Sequence, residues 1–265
     1  MGEHVPRGVV LKTAPLRESD LLVTLFTDQH GRISALARGA RRSKIRFAGT
    51  LSLLVLGRYQ LGRAPRGDIW TLESGEIERE WTQLASDVVA VAHASYIAEL
   101  VASLLPAELP EPEVLDVMTG LWDCLAAHGP SPAALRAVEL SLLELTGQMP
   151  AIDRCAACSN LAADGAVFDA SRGGVLCASC ASRSRAEGVR MFEAGARAYL
   201  RAISNAGDPS SAQALDADPR FTFEDKLAAR EALVSMLLGL IGKPLRSLEY
   251  IAKLGAAGRR QDPGA

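Results

Sequence analysis

Two cysteine pairs, Cys155-Ala-Ala-Cys158 and Cys177-Ala-Ser-Cys180, stand eighteen residues apart in a chain of 265. This is the spacing of a tetrahedral four-thiolate zinc site, because two residues between thiolates form a tight knuckle that puts both sulfurs on one ion. The segment between the pairs must then fold back, with Gly173-Gly174 turning a hairpin and Phe168 expected to cover the site. Four thiolates fill the coordination shell and leave no position for a reacting water, so a structural ion is expected and a hydrolytic one is disfavoured. Spacing alone does not choose between metals, and a rubredoxin-type iron centre or an iron–sulfur cluster shares it. Two disulfides would need an oxidising compartment, and thioredoxin-like redox pairs would need a βαβ context that the sequence lacks. The fifth cysteine, Cys124, falls among Leu121, Trp122 and Leu125 and reads as a buried apolar residue.

The second constraint is charge. The whole chain carries a formal net charge of only −2, but residues 1–80 hold thirteen Lys/Arg against nine Asp/Glu. From Gln29 to Gly67 there is no carboxylate, while Arg32, Arg38, Arg41, Arg42, Lys44, Arg46, Arg58, Arg63 and Arg66 are all cationic. Such a run predicts a surface that phosphates neutralise, with salt-dependent binding as counterions are released. Phe47, Tyr59 and Trp70 are the aromatic residues nearby, available either to stack on bases or to fill a core.

Residues 8–16, 20–27, 32–37, 51–61 and 68–76 read as five short strands, separated by Gln29-His30-Gly31 and by the Gly62, Pro65 and Gly67 breakers. Five such strands are the number expected of a small closed barrel such as an OB-fold. From Leu84 the period becomes helical, so the fold class is α+β: an N-terminal five-stranded OB-fold barrel, then an all-helical domain carrying a four-cysteine zinc knuckle. The expected division is residues 1–80, 81–254 with the knuckle at 155–180, and a flexible tail at 255–265. Helices are predicted from Leu84 to Pro106 and over 113–128, 131–147, 191–204, 224–241 and 247–254, with Ser131 as an N-cap, Pro132 at the first helical position, and a surface loop at 205–219. Residues 88–105 carry one formal charge in eighteen, but His93, Ser95, Glu99 and Ser103 make this a buried helix and not a membrane span. The opening MGEHVPRGVV has no apolar run of the secretory kind, and a cytoplasmic setting is expected. His4, His30, His93 and His128 are scattered, and no Walker-type loop or deaminase His-x-Glu occurs, so an enzyme is not expected.

In this order the pieces resemble the RecO family of DNA repair proteins. The resemblance is carried by Val9-Val10-Leu11, by residues 20–27, by Gly31-Arg32, and by Ala37-Arg38-Gly39-Ala40-Arg41-Arg42. Both cysteine pairs and Pro244-Leu245-Arg246-Ser247 also match. The resemblance implies an OB-fold, a helical body and, in many members, the zinc knuckle. It also implies a recombination mediator that binds single- and double-stranded DNA and anneals complementary strands without ATP. With RecR, such a protein helps load RecA onto DNA coated with single-strand-binding protein, at the nucleoid. Carried onto this chain, the DNA contacts are Arg32, Arg38, Arg41, Arg42, Lys44 and Arg46, with Arg58, Arg63 and Arg66 secondary. Arg246 and Lys253 are candidate cations for the acidic tail of the single-strand-binding protein. The metal ligands are Cys155, Cys158, Cys177 and Cys180. A zinc-ribbon nucleic-acid-binding regulator or scaffold without annealing activity is the alternative.

Overall fold

The computed structural model describes residues 5–43, 45–63, 69–163, 165–184 and 190–261, the last seven by backbone alone. Lys44, Arg66 and the breakers Pro65 and Gly67 lie outside the described residues.

Five strands build the N-terminal piece: β1 (Arg7–Pro15), β2 (Leu21–Thr27), β3 (Gly31–Ala37), β4 (Val55–Arg63) and β5 (Trp70–Glu80). They close in the order β1-β2-β3-β5-β4, with β4 returning to β1 and with β3 and β5 running parallel. That is an OB-fold barrel. Alternation does the local work, since side chains along a strand point to opposite faces. Val23 and Leu25 of β2 and Ile33, Ala35 and Ala37 of β3 fill the interior with Val10, Tyr59, Trp70 and Leu72. The expectation of strand from residue 51 was too early. Backbone bonds from Thr50 to Phe47 and from Ser52 to Gly49 turn this stretch, and β4 starts at Val55.

Two helices follow, α1 (Val88–Leu104) and α2 (Glu113–His128). Asp87 caps α1 by accepting the N–H groups of Val89 and Ala90. Trp81 donates its indole N–H to Asp123 of α2 (2.8 Å), and its ring meets Trp122 edge-on. Between the two helices the chain passes close to the β2–β3 turn. A Cβ on Gly31, whose φ is +61°, would lie 1.9 Å from the Leu109 carbonyl oxygen. Gly31→Ala therefore meets both a backbone clash and a left-handed conformation. It is expected to lower unfolding stability by about 2 kcal/mol, read by denaturant titration.

The remaining elements are α3 (Pro132–Leu145), β6 (Val167–Asp169), β7 (Gly174–Leu176), α4 (Ala178–Ala181), β8 (Arg190–Met191), α5 (Ala194–Ala206), α6 (Pro209–Gln213), α7 (Phe223–Ile241) and α8 (Arg246–Gln261). Ser131 caps α3 with Pro132 in its first turn, and Thr222 and Asp225 form a capping box on α7. Residues 205–219, expected to be a surface loop, contain α6 and a 3₁₀ turn, with Pro209 and Ala212 buried. Backbone helix continues to Gln261, through most of the expected tail, and residues 262–265 lie outside the described set.

The chain forms two compact units: Met1–Pro130 with Leu245–Ala265, and Ser131–Pro244. The barrel thus shares a unit with α1, α2 and α8. Glu99 of α1 accepts the backbone N–H groups of Arg246 (3.2 Å) and Ser247 (2.8 Å) and so caps α8. In the second unit, Arg136 and Glu139 of α3 form a buried ion pair at 2.5 Å. Among the described residues, no helix is long and apolar enough to cross a membrane.

Candidate nucleic-acid interface and metal centre

The connection from β3 to β4 carries most of the basic run, and the fold pins it in place. Ala40 and Phe47 are buried in the barrel core, one near each end of the basic tip. Gly39 donates its N–H to Asp20 Oδ1 (2.8 Å), and Arg41 donates its backbone N–H to the Ser19 carbonyl (3.0 Å). Both partners belong to the turn between β1 and β2. The Gly39 N–H is the main reason that the Asp20 carboxyl is held below its ordinary range. Burial opposes this, and the Ser19 hydroxyl and the charges of Arg17 and Arg38 lower it further.

Arg38, Arg41, Arg42 and Arg46 are brought together on this connection, all exposed. The Arg46 guanidinium donates to the Arg38 carbonyl (2.7 Å) and lies over the Phe47 ring at 5.1 Å. Arg41 donates to the Glu18 carbonyl (3.1 Å). The run is free of carboxylates in sequence but not in space. Arg42 approaches the Glu18 carboxylate at 3.5 Å, with side-chain exposures of 74% and 93%. An ion pair so open to water holds its partners weakly and yields readily to a phosphate.

Arg32 lies apart from this group. It is half-buried on the outer face of β3 and donates to the Leu105 carbonyl at the end of α1 (2.9 Å), so in this fold it ties α1 to the barrel. Arg58 pairs with Glu78 (2.9 Å), and Arg63 pairs with Glu108 (3.1 Å). The aromatic candidates all went inward. Tyr59 is fully buried and donates its hydroxyl to the Thr50 carbonyl (2.7 Å), while Phe47 and Trp70 belong to the core. Trp70 also donates to Glu108 (3.0 Å) and is covered by His30 and Arg63. The barrel needed filling, and large rings fill it.

Sequence reasoning missed Arg17. It is separated from the basic run by the whole of β2 and β3, and the β1–β2 turn returns it to the same place. Its exposed position between Pro15 and Asp20, at a hairpin end, was the available signal.

The four cysteine sulfurs Cys155, Cys158, Cys177 and Cys180 converge, all within 4.8 Å of one another, and none is in a disulfide. Cys158 and Cys177 are 3.8 Å apart. Zinc–sulfur bonds of ~2.3 Å in a tetrahedron put neighbouring sulfurs ~3.8 Å apart, so the donor set fits such an ion. Each knuckle is a turn: Ser159 N–H returns to the Cys155 carbonyl (2.8 Å) and Cys180 N–H to the Cys177 carbonyl (2.9 Å). Burial works against ionising Cys155, but backbone N–H groups of Cys177, Ala157 and Cys158 outweigh it and bring the thiol to about 6. The Ser179 hydroxyl is the largest influence lowering Cys177. Arg183 reaches the Cys180 sulfur at 3.5 Å, placing a cation beside the thiolates.

Gly174 is required where β7 passes residue 151, because a Cβ there would meet the Ala151 carbonyl oxygen at 2.4 Å. Phe168 does not cover the cysteines. Val167 and Leu176 pair across β6 and β7 on the cysteine side. Phe168 points the other way and packs edge-on against Phe192, at 5.3 Å between centroids. Cys124 is fully buried on α2, beside Leu121, Trp122 and Leu125.

Comparison with known proteins agrees with this architecture. The family model described as Recombination protein O N terminal matches residues 1–81, the barrel. The one described as Recombination protein O C terminal matches residues 85–249. A DNA repair protein RecO from Anaeromyxobacter sp. (strain K) is 36% identical over 252 residues, covering 94% of this chain and 95% of its own. Proteins of the same name from Symbiobacterium thermophilum and Myxococcus xanthus are 32% and 30% identical, covering 94% of this chain and 97% and 96% of their own. With family models matching residues 1–81 and 85–249 and relatives up to 36% identical over 94% of its length, the chain belongs to the recombination protein O family, RecO.

Proposed function

We propose that this chain serves in DNA repair as a recombination mediator in the cytoplasm, at the nucleoid. In this reading the pinned β3–β4 connection, with the β1–β2 turn beside it, binds single- and double-stranded DNA through phosphates. The protein anneals complementary strands without ATP and, with RecR, helps load RecA onto strands coated with single-strand-binding protein. The observation that carries the reading is the gathering of Arg38, Arg41, Arg42 and Arg46 on one anchored connection. Among the described residues, a weak pair to Glu18 is the one ion pair that these four form.

The physical account of annealing is short. Two strands repel through their phosphates, and a cationic surface that holds both reduces the repulsion and raises their local concentration. Base pairing then drives the reaction, so no catalytic group is required. The ion held by Cys155, Cys158, Cys177 and Cys180 is zinc in this reading. It acts as a structural clamp for strands of two and three residues that could not hold the insert together alone. Arg246 and Lys253, both exposed on α8, are the cations offered to the acidic tail of the single-strand-binding protein.

The test is the renaturation of complementary oligonucleotides followed by fluorescence without nucleotide. The protein is expected to accelerate pairing, and rising salt is expected to suppress the acceleration. An unchanged renaturation rate alongside measurable DNA binding would overturn annealing and leave a zinc-bearing nucleic-acid-binding scaffold.

A further inference from the structure

At the tip of the basic connection, between the arginines, stands an apolar residue. Ile45 is 89% exposed, so it contributes almost nothing to the barrel core. Its surroundings are nevertheless held from both sides. Arg46 donates its backbone N–H to the Ser43 hydroxyl (3.1 Å), and the Arg46 carbonyl accepts the Gly75 N–H of β5 (2.9 Å). The Arg46 side chain is tied to the Arg38 carbonyl, and Ala40 and Phe47 are sunk in the core on either side. A single exposed aliphatic side chain is ordinary on a protein surface. One held on an anchored tip among Arg41, Arg42 and Arg46 is presented to whatever those cations attract.

We infer that Ile45 is a wedge that enters between adjacent bases of single-stranded nucleic acid while the neighbouring arginines hold the phosphates. The inference rests on the polyanion-binding reading of the same connection. Charge complementarity selects the occupant, since a polymer drawn by phosphates brings a base step to the tip. Apolar side chains inserted between base steps are an established way of unstacking them, and a single strand resists less than a duplex does.

The experiment uses a single-stranded oligonucleotide carrying 2-aminopurine, whose emission rises when it is unstacked. The full-length protein is expected to raise that emission on saturation. Ile45→Ala is expected to keep its melting temperature and its salt dependence while losing the emission rise and binding roughly three- to tenfold more weakly. Ile45→Leu is expected to restore both. Ile45→Ala with unaltered emission and affinity would overturn the inference. Wild-type binding without an emission rise would also remove the inference alone, whereas no wild-type binding would remove the polyanion reading beneath it.

Discussion

Cys177→Ser is expected to reduce bound zinc from one equivalent to a small fraction and to lower the melting temperature by roughly 10 °C or more. The reason lies in how little else holds the insert. Its strands β6, β7 and β8 are three, three and two residues long. The apolar cluster around the sulfurs is small: Cys155, Leu176 and Cys180, with Val167, Cys177 and Ala181 packed against them. Losing one of four ligands weakens the clamp on both knuckles together. Elemental analysis and thermal unfolding read the outcome, with Cys124→Ala as the control that should keep one zinc. Full metal content and unchanged melting in Cys177→Ser would show that the four sulfurs do not form a structural site. Treatment of the wild-type protein with a chelator should reproduce the variant's melting curve.

Reversing charge on the connection acts on a different property. Arg41→Glu combined with Arg42→Glu is expected to weaken binding of single-stranded DNA by roughly a hundredfold at moderate salt, with folding intact. Both side chains are exposed. Their removal deprives the folded state of one hydrogen bond to the Glu18 carbonyl and of the solvated pair with the Glu18 carboxylate. Such surface interactions add little to stability. The new carboxylates would face Arg38 and Arg46 and compete with phosphates for them, so the weakening exceeds simple neutralisation. Affinity equal to wild type would place the DNA contact elsewhere.

Much of this architecture was readable because the determinants were local. The alternation in Val23, Leu25, Ile33, Ala35 and Ala37 needs no knowledge of the rest of the chain. The start of α3 at Ser131 and Pro132 and the two cysteine knuckles are likewise written in adjacent residues. The departures have identifiable causes. Residues 51–54 are apolar enough for a strand, but the turn that brings Phe47 into the core uses them first. Residues 208–213 have the Asp, Pro and Ser of a loop, yet those residues start α6. Asp208 accepts the N–H groups of Ser210 and Ser211, and Pro209 occupies the first turn. Phe168 lies on a strand that offers only two faces, and Val167 took the place beside the sulfurs that Phe168 was expected to fill.

The candidate interface was legible in residue type and only partly in arrangement. Arg38, Arg41, Arg42 and Arg46 share one connection and stay together in the fold. Arg32 was drawn away by the carbonyl of Leu105, seventy-three residues on, a partner that no local pattern announces. The same long-range closure brought Arg17 and Glu18 to the basic connection. One adds a cation and the other adds the carboxylate that the linear sequence seemed to lack.

A connection that gathers phosphates must show a strong salt dependence of affinity for a fluorescent single-stranded oligonucleotide. Each phosphate contact contributes about −0.7 to the slope of log affinity against log salt, so four to five contacts give a slope of roughly −3. The wild-type protein is expected to show that slope, and the Arg41→Glu, Arg42→Glu variant one shallower by about 1.4 or more. A wild-type slope near zero, or equal slopes for the two proteins, would mean that these arginines do not hold the phosphates.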